Sequence, residues 1–335
     1  MIRVGVLGAG YFARFHHDAW TRLGNAQLVG IADRDPARAR GGPAPGYESL
    51  PALIDGAAPE LLDIVIPPDG HLEAIRTALD AGLRWIICQK PFCRDRDEAA
   101  RATEMAEAAG ATLVIHENFR FQPWYRTLKQ ALDAGRIGDV LQLTFRMRTG
   151  DGQGPDAYLD RQPYFQTMER FLIHETAVHW IDTFRFLLGP ADGLYADLRR
   201  LNPAIAGEDA GYLLFDYADG RRALFDGNRL LDHGTDTPRL TFGEALAEGT
   251  GGSIALAGDG ALTIRRAGAV DGSLLLPPRR WPGFAGDCVH ALQAHVLNHI
   301  TDGTPLENTA REYLAVLDIE AAAYRSAERR ARVAL

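Results

Sequence analysis

The sequence predicts an α/β domain followed by an α+β domain: a doubly wound parallel sheet, then a mainly antiparallel sheet with helices. Three observations carry this. Strand and helix patterns alternate from the first residues to Asn118, as they do where helices cover both faces of a parallel sheet. The first strand runs through a glycine-rich turn into a helix. After Asn118 the rhythm changes to alternating apolar and polar residues, short strands and turns. In a chain of 335 residues, the expected domains are residues 1–120 and 121–335.

Ile2 to Leu7 reads as a buried strand. Gly8-Ala9-Gly10-Tyr11-Phe12-Ala13 follows, then a helical pattern to about Leu23. This is G-x-G-x-x-A between strand and helix. Gly8 makes the tight turn, Gly10 lets backbone approach a pyrophosphate, and Ala13 lets helix and strand pack closely. Gln27 to Ala32 is the second strand. It ends at Asp33, 23 residues beyond Gly10, close to the roughly 20 expected of a ribose-binding acid. A carboxylate there accepts from both ribose hydroxyls and repels a 2′-phosphate, so NAD is expected over NADP. Arg34 weighs the other way, because arginine pairs with phosphate. Asp33 also suits a helix N-cap.

Gly41 to Pro45 is a turn region. Leu61 to Ile66 is a strand halted by Pro67-Pro68, and a helix from His71 to about Ala81 puts His71 on the crevice side. Trp85-Ile86-Ile87-Cys88 is a short apolar strand ending at Gln89-Lys90-Pro91. Pro91 cannot continue the ladder. Lys90 therefore sits at the carboxyl end of a parallel strand, the edge where open α/β sheets bind ligands. A lysine there can donate to a substrate oxygen or shuttle a proton; the plainer reading is a solvated strand-end lysine. Asp95 to Ala109 reads as a helix, and Ala111 to Ile115 as a strand leading to His116-Glu117-Asn118.

Beyond it, Phe121 to Gly135 looks helical and Val140 to Thr149 alternates like an antiparallel strand. Thr149 to Gln166 is long and polar, the pattern of a lid. Phe171 to Leu188 looks helical, Tyr195 to about Ile264 holds several short strands, and Phe284 to Thr301 and Thr309 to Ala331 look helical. Within Ile173 to Asp182, Glu175 and His179 are four apart and share an α-helical face. Asp182 lies one turn from His179, where a carboxylate fixes an imidazole's tautomer and raises its basicity. His174-Glu175 invites a zinc-protease reading. That motif needs histidines four apart, and His174 and His179 are five apart, about 140° round an α-helix, so no metal is expected. His290, His295 and His299 read as a half-buried helix face, and His16-His17 receive no role.

The formal net charge of −8 argues against a nucleic-acid backbone or an anionic membrane as partner. Cys88, Cys93 and Cys288 have no regular spacing, which excludes a disulfide framework and suits a reducing cytosol. A strand begins at residue two, without a signal-peptide pattern, and no apolar run is long enough to span a membrane. A cytoplasmic location is expected.

Together these features resemble the glucose–fructose oxidoreductase, inositol dehydrogenase and rhizopine-catabolism (Gfo/Idh/MocA) family. Val4-Gly5-Val6-Leu7-Gly8-Ala9-Gly10 looks like its opening strand and turn. Gln89-Lys90-Pro91 looks like its E-K-P motif, with Gln for Glu. Asn118-Phe119-Arg120-Phe121 is similar to its N-x-R-F segment. Glu175-Thr176-Ala177-Val178-His179-Trp180-Ile181-Asp182 looks like its D-x-G-x-H-x-x-D helix, with Glu for Asp and Ala for Gly. Ile66 stands where the family often has Thr or Ser, and Gly303-Thr304-Pro305-Leu306 matches its tail. The resemblance implies a Rossmann domain followed by a domain with an open sheet that packs against its twin in homodimers or homotetramers.

It also implies NAD contacts from Gly8, Gly10, Tyr11, Phe12, Asp33, Arg34, Pro67, His71, Gln89, Lys90 and Asn118. Gly150 to Tyr158 and Phe225 to Arg229 resemble dehydrogenases of aldoses such as D-apiose. By that resemblance, Arg120, Trp124, Asp156, Tyr158, Arg161, His174, Glu175, His179 and Asn228, with Lys90, would surround a sugar or polyol. The expected reaction is NAD-dependent oxidation of a hydroxyl. His179 would be the base, Lys90 the donor to the same oxygen, and Glu175 would orient substrate or His179. Two other readings stay open: an NAD-dependent glycoside hydrolase working by oxidation and elimination, and a dinucleotide-binding sensor without catalysis.

Overall fold

The computed structural model describes residues 1–335, which divide into two compact units. The first contains residues 1–118 and 287–315, the second residues 119–286 and 316–335. The segment 287–315 thus groups with the first unit, although it lies in the part of the chain expected to form the second domain.

The first unit alternates as the sequence does. Its elements are β1 (Ile2–Leu7), α1 (Ala13–Arg22), β2 (Ala26–Ala32), α2 (Pro36–Arg40), β3 (Gly46–Tyr47), α3 (Leu50–Ala57), β4 (Leu61–Ile64), α4 (His71–Asp80), β5 (Trp85–Gln89), α5 (Arg96–Ala108) and β6 (Thr112–His116). The central strands are buried apolar runs: Val4, Val6, Ile64, Ile87 and Ile115 are inaccessible to solvent, as expected where helices cover both faces. All pairings are parallel, in the order β3-β2-β1-β4-β5-β6. The order reverses between β1 and β4, and at such a switch point open α/β sheets bind ligands. The glycine turn follows β1, at that switch. β4 stops at Ile64, two residues earlier than expected, and a 3₁₀ turn over Pro68–Gly70 leads into α4.

The second unit holds α6 (Pro123–Asp133), β7 (Val140–Arg148), α7 (Val178–Leu188), β8 (Gly193–Arg199), β9 (Ala210–Asp216), β10 (Arg222–Asn228), β11 (Gly243–Gly249), β12 (Gly252–Leu256), β13 (Leu262–Arg266) and β14 (Ser273–Leu276). Two long helices come next in the chain: α8 (Phe284–Asp302), most of which groups with the first unit, and α9 (Ala310–Arg329), which begins in the first unit and ends in the second, followed by β15 (Val333–Ala334). One nine-stranded sheet runs β14-β13-β12-β11-β7-β10-β9-β8-β15. Only β7 and β10 pair in parallel; the other pairings are antiparallel.

On one face of this sheet, alternate side chains pack on α7. Trp180 stacks on Phe145 with ring centroids 4.3 Å apart and lies 5.3 Å from Phe225. On the other face, register lines up Tyr195, Leu214, Leu224, Thr144, Leu246 and Ala255 across six strands. Of these, Tyr195, Leu246 and Ala255 are exposed. No helix is long and apolar enough to cross a membrane.

Candidate active site

In the first unit, the glycine turn is shaped by what it excludes. Gly8 has φ +123°, and a Cβ there would lie 2.1 Å from the Val65 carbonyl oxygen. Only glycine meets both conditions. A Cβ at Gly10 would meet nothing within 4 Å, so backbone is open to an approaching group at that point. Asp33 stands opposite. Its carboxylate accepts the Ala9 N–H at 2.7 Å and the Asp35 N–H at 2.9 Å. It is not a helix cap: Asp35 caps α2, accepting from the Ala37 N–H. With one bond per oxygen, the Asp33 carboxylate keeps lone pairs for further donors. Arg34 is exposed beside it. Tyr11 and Phe12 are half-buried before α1, where Arg14 covers the Tyr11 ring at 4.2 Å.

Gln89 ends β5 and Asn118 follows β6, and both are buried. The Gln89 Oε1 and Asn118 Nδ2 atoms meet no hydrogen-bonding partner within the protein. Buried polar atoms are nearly always satisfied, so these two mark where a polar ligand group fits. Lys90 is half-buried beside Gln89, Pro67 opens the 3₁₀ turn, and the Lys90–Pro91 peptide is cis. An open glycine turn, a carboxylate at the end of β2 and two orphaned amide atoms fit an adenine dinucleotide. Gly8, Gly10 and Asp33 would hold its pyrophosphate and ribose.

His71 corrects the sequence reading. It is fully buried; its Nε2–H donates to the Ile66 carbonyl at 2.9 Å, and its Nδ1 accepts the Cys93 N–H at 3.3 Å. Burial lowers its pKa to about 4. Both ring nitrogens are occupied, so His71 braces the turn after β4 and offers no nitrogen to a cofactor. His16 and His17, given no role by sequence, are also structural. His17 lies 3.1 Å from the Gly8 carbonyl, and His16 lies 2.8 Å from Asp63 inside the core. Trp20 donates to the same carboxylate, 2.7 Å away. Burial would raise the Asp63 pKa, but the charge and hydrogen bond of His16 more than reverse this and lower it. His295 accepts the Glu307 N–H, and His299 meets the Thr304 carbonyl.

In the second unit, the segment expected to be one α-helix is two structures. Leu172–Ala177 forms a π-turn and α7 begins at Val178, whose N–H reaches back five residues to Ile173. Such bulges recur at functional sites. Angles counted on an α-helical pitch therefore do not hold between Glu175 and His179, nor between His174 and His179. Glu208 caps the turn, its Oε1 accepting the Phe171 and Ile173 N–H groups at 3.2 and 3.0 Å. His179 is buried, with its ring stacked flat on Phe119 at 3.8 Å. Asp182, expected to orient His179, takes Nε and one terminal nitrogen of Arg120 at 2.7 and 2.5 Å. His174 pairs with Glu320 at 2.8 Å. Glu175 accepts from the Thr176 hydroxyl and lies 3.7 Å from Arg229.

Two residues expected around a sugar are core residues. Trp124 is fully buried, and its indole N–H donates to Gln122 at 2.8 Å. Tyr158 is buried, with its hydroxyl accepting from Arg229 Nε at 2.7 Å and donating to Asp151 at 3.3 Å. Arg161 is also taken up, paired with Asp151. Asp156 is exposed, and the Asn228 Oδ1 accepts the Leu230 N–H at 2.9 Å.

The segment 149–166 is no loose lid. Ala157, Tyr158 and Phe165 form a small core with Phe171 and Ile205. Asn202 donates to the carbonyls of Gly152 and Gly154, at 2.7 and 2.8 Å. Burial would raise the Asp151 carboxyl, but the Arg229 charge, the Thr149 hydroxyl and Arg161 bring it down to about 2. Sequence reading passed over Asp151, Thr176 and Glu208, whose only signal is a charge or hydroxyl in an otherwise apolar or glycine-rich stretch.

Comparisons with known proteins agree along the whole length. Residues 2–117 match the oxidoreductase family with an NAD-binding Rossmann fold, and residues 125–255 match the Gfo/Idh/MocA C-terminal domain. D-apiose dehydrogenase of Paraburkholderia graminis is 30% identical over 96% of this chain and 86% of that protein. Inositol 2-dehydrogenase of Rhizobium meliloti is 29% identical over 70% of this chain and 71% of that protein. Among solved structures, an oxidoreductase from Agrobacterium radiobacter in complex with NAD+, L-tartaric acid and magnesium superimposes with a TM-score of 0.89. It is 27% identical and covers 99% of this chain and 98% of its own. The chain is an NAD(P)-dependent oxidoreductase acting on CH–OH groups and belongs to the Gfo/Idh/MocA family.

Proposed function

We propose that this protein is an NAD-dependent dehydrogenase of a sugar, an aldose such as D-apiose or a related polyol. The observation that carries the reading is its full-length likeness to two D-apiose dehydrogenases, each 30% identical, with the lysine and histidine suited to the chemistry both present. Bound at the glycine turn, a nicotinamide cofactor supplies the hydride acceptor. His179 removes the proton of the substrate hydroxyl. Lys90 donates to the same oxygen and stabilises its developing negative charge. Glu175 orients the substrate or His179. NAD is favoured over NADP because Asp33 meets a 2′-phosphate with like charge, while Arg34 stays in solvent.

The test is a panel of aldoses and polyols with NAD and NADP, read by NADH absorbance, followed by Lys90→Met. That variant loses roughly two to four decades of rate, the span of general acid–base catalysis, with NAD affinity nearly unchanged. Wild-type turnover in Lys90→Met would remove the lysine from the mechanism.

The exposed row across the nine-stranded sheet supports a second copy as its cover. An apolar stripe beside a charged row that holds Arg146 and Glu244, 3.6 Å apart, suits association without aggregation. Sedimentation of the wild type and Leu246→Glu reads this directly.

A further inference from the structure

Arg229 follows β10, and its side chain is only 4% exposed. Its Nε reaches the Tyr158 hydroxyl at 2.7 Å, and one terminal nitrogen reaches Asp151 Oδ2 at 3.1 Å. The other terminal nitrogen donates to the Thr176 hydroxyl at 2.6 Å. That hydroxyl in turn donates to Glu175. The guanidinium also lies 4.6 Å over the Phe171 ring. One buried cation thus joins three elements: the segment 149–166 through Asp151 and Tyr158, the end of β10, and the π-turn that bears Glu175. Burial opposes its charge, but Asp151, Tyr158 and Glu175 more than reverse this.

We propose that Arg229 is the positioning residue for Glu175: through the Thr176 hydroxyl it fixes that carboxylate, and through Asp151 it holds the segment 149–166 against the π-turn. This rests on the dehydrogenase reading for the role of Glu175, but the anchoring of the segment stands apart from it. An arginine suits the position because its planar fork can serve several acceptors at once; a lysine carries the charge without that geometry. Arg229 does no chemistry itself. It acts on the rate by keeping Glu175 in one place.

The test has two arms. In amide hydrogen exchange, Arg229→Gln should speed exchange of residues 151–162 at least tenfold, with the strands β1 to β6 unchanged. In sugar oxidation, Arg229→Gln should lower kcat by about a hundredfold, the effect of ångström-scale misplacement, and leave KM for NAD unchanged. The double variant Arg229→Gln/Glu175→Gln should be no slower than Glu175→Gln alone, within about twofold. Thr176→Val keeps the arginine and the fold but cuts the hydroxyl bridge, and should lower kcat in the same direction. Unchanged exchange overturns the anchor. Multiplying effects in the double variant, or a Thr176→Val as fast as wild type, overturn the positioning of Glu175. If the wild type oxidises no sugar, the dehydrogenase reading falls and exchange still decides the anchor.

Discussion

The glycine turn of the first unit and the Arg229 cluster of the second are both polar regions built from loops, and they are organised in opposite ways. Along the edge of the sheet that carries the turn, polarity is left unanswered: Gly10 faces open space, and at the ends of β5 and β6 Gln89 Oε1 and Asn118 Nδ2 have no protein partner. Around Arg229, polarity is answered internally, by Asp151, Tyr158, Thr176 and Glu175. The first arrangement keeps its hydrogen-bonding capacity for a ligand. The second spends that capacity on holding shape. Residue type alone does not separate them, because a tyrosine or arginine in a loop looks equally ready to bind a sugar.

The largest way to break this contrast is to fill the open turn. Gly8→Ala places a methyl 2.1 Å from the Val65 carbonyl at a left-handed φ. Strain of about 1–3 kcal/mol adds to overpacking of about 1–3 kcal/mol. NAD binding measured by calorimetry should be abolished and the melting temperature should fall. Binding at wild-type strength would show that the turn yields.

His71 sharpens the comparison from the satisfied side. Its pKa falls from 6.5 in the unfolded chain to about 4 in the fold. The unfolded chain therefore takes up the proton first as pH drops. The stability contributed by burying neutral imidazole is complete above about pH 6.5 and is lost as pH falls toward about 4, roughly 3 kcal/mol in all. Urea unfolding across that window should show the slope in the wild type, and His71→Gln should flatten it. An equal slope in the variant would assign the proton elsewhere.

The smallest expected effect on folding comes from Gln89→Met. Because Oε1 is buried without a partner, an apolar replacement of similar shape should change stability by no more than about 1 kcal/mol. NAD affinity should drop several-fold. Unaltered affinity would show that the orphaned oxygen is not a ligand contact.

Much of the first unit was legible in the sequence because its signals are local. A strand, a G-x-G-x-x-A turn and an acid 23 residues on lie close together in the chain, and period and turn chemistry report them. The second unit hides its logic in distance. Arg229 meets Asp151 across 78 residues and His174 meets Glu320 across 146, pairings that no periodicity reveals. The π-turn was invisible for another reason: one extra residue in a helical turn leaves the apolar pattern of Phe171 to Leu188 almost unchanged, yet it re-aims every polar side chain after it. Trp124 was misplaced because its neighbour Gln122 satisfies the indole inside the core.

The lone parallel pairing, β7 with β10, has a kinetic consequence. β8, β9 and β10 follow one another through short connections, as do β11 to β14, whereas Val140–Arg148 must wait for both Arg222–Asn228 and Gly243–Gly249 to be made and delivered. In between lie the π-turn, α7 and the β8–β9 hairpin. Loop closure over such a span is entropically costly before any contact rewards it. The meanders β8-β9-β10 and β11-β12-β13-β14 are the local pieces that assemble early, and β7 is the late strand that zips them into one sheet. Until it arrives, each meander presents an open edge, the feature that lets a sheet pair with another chain.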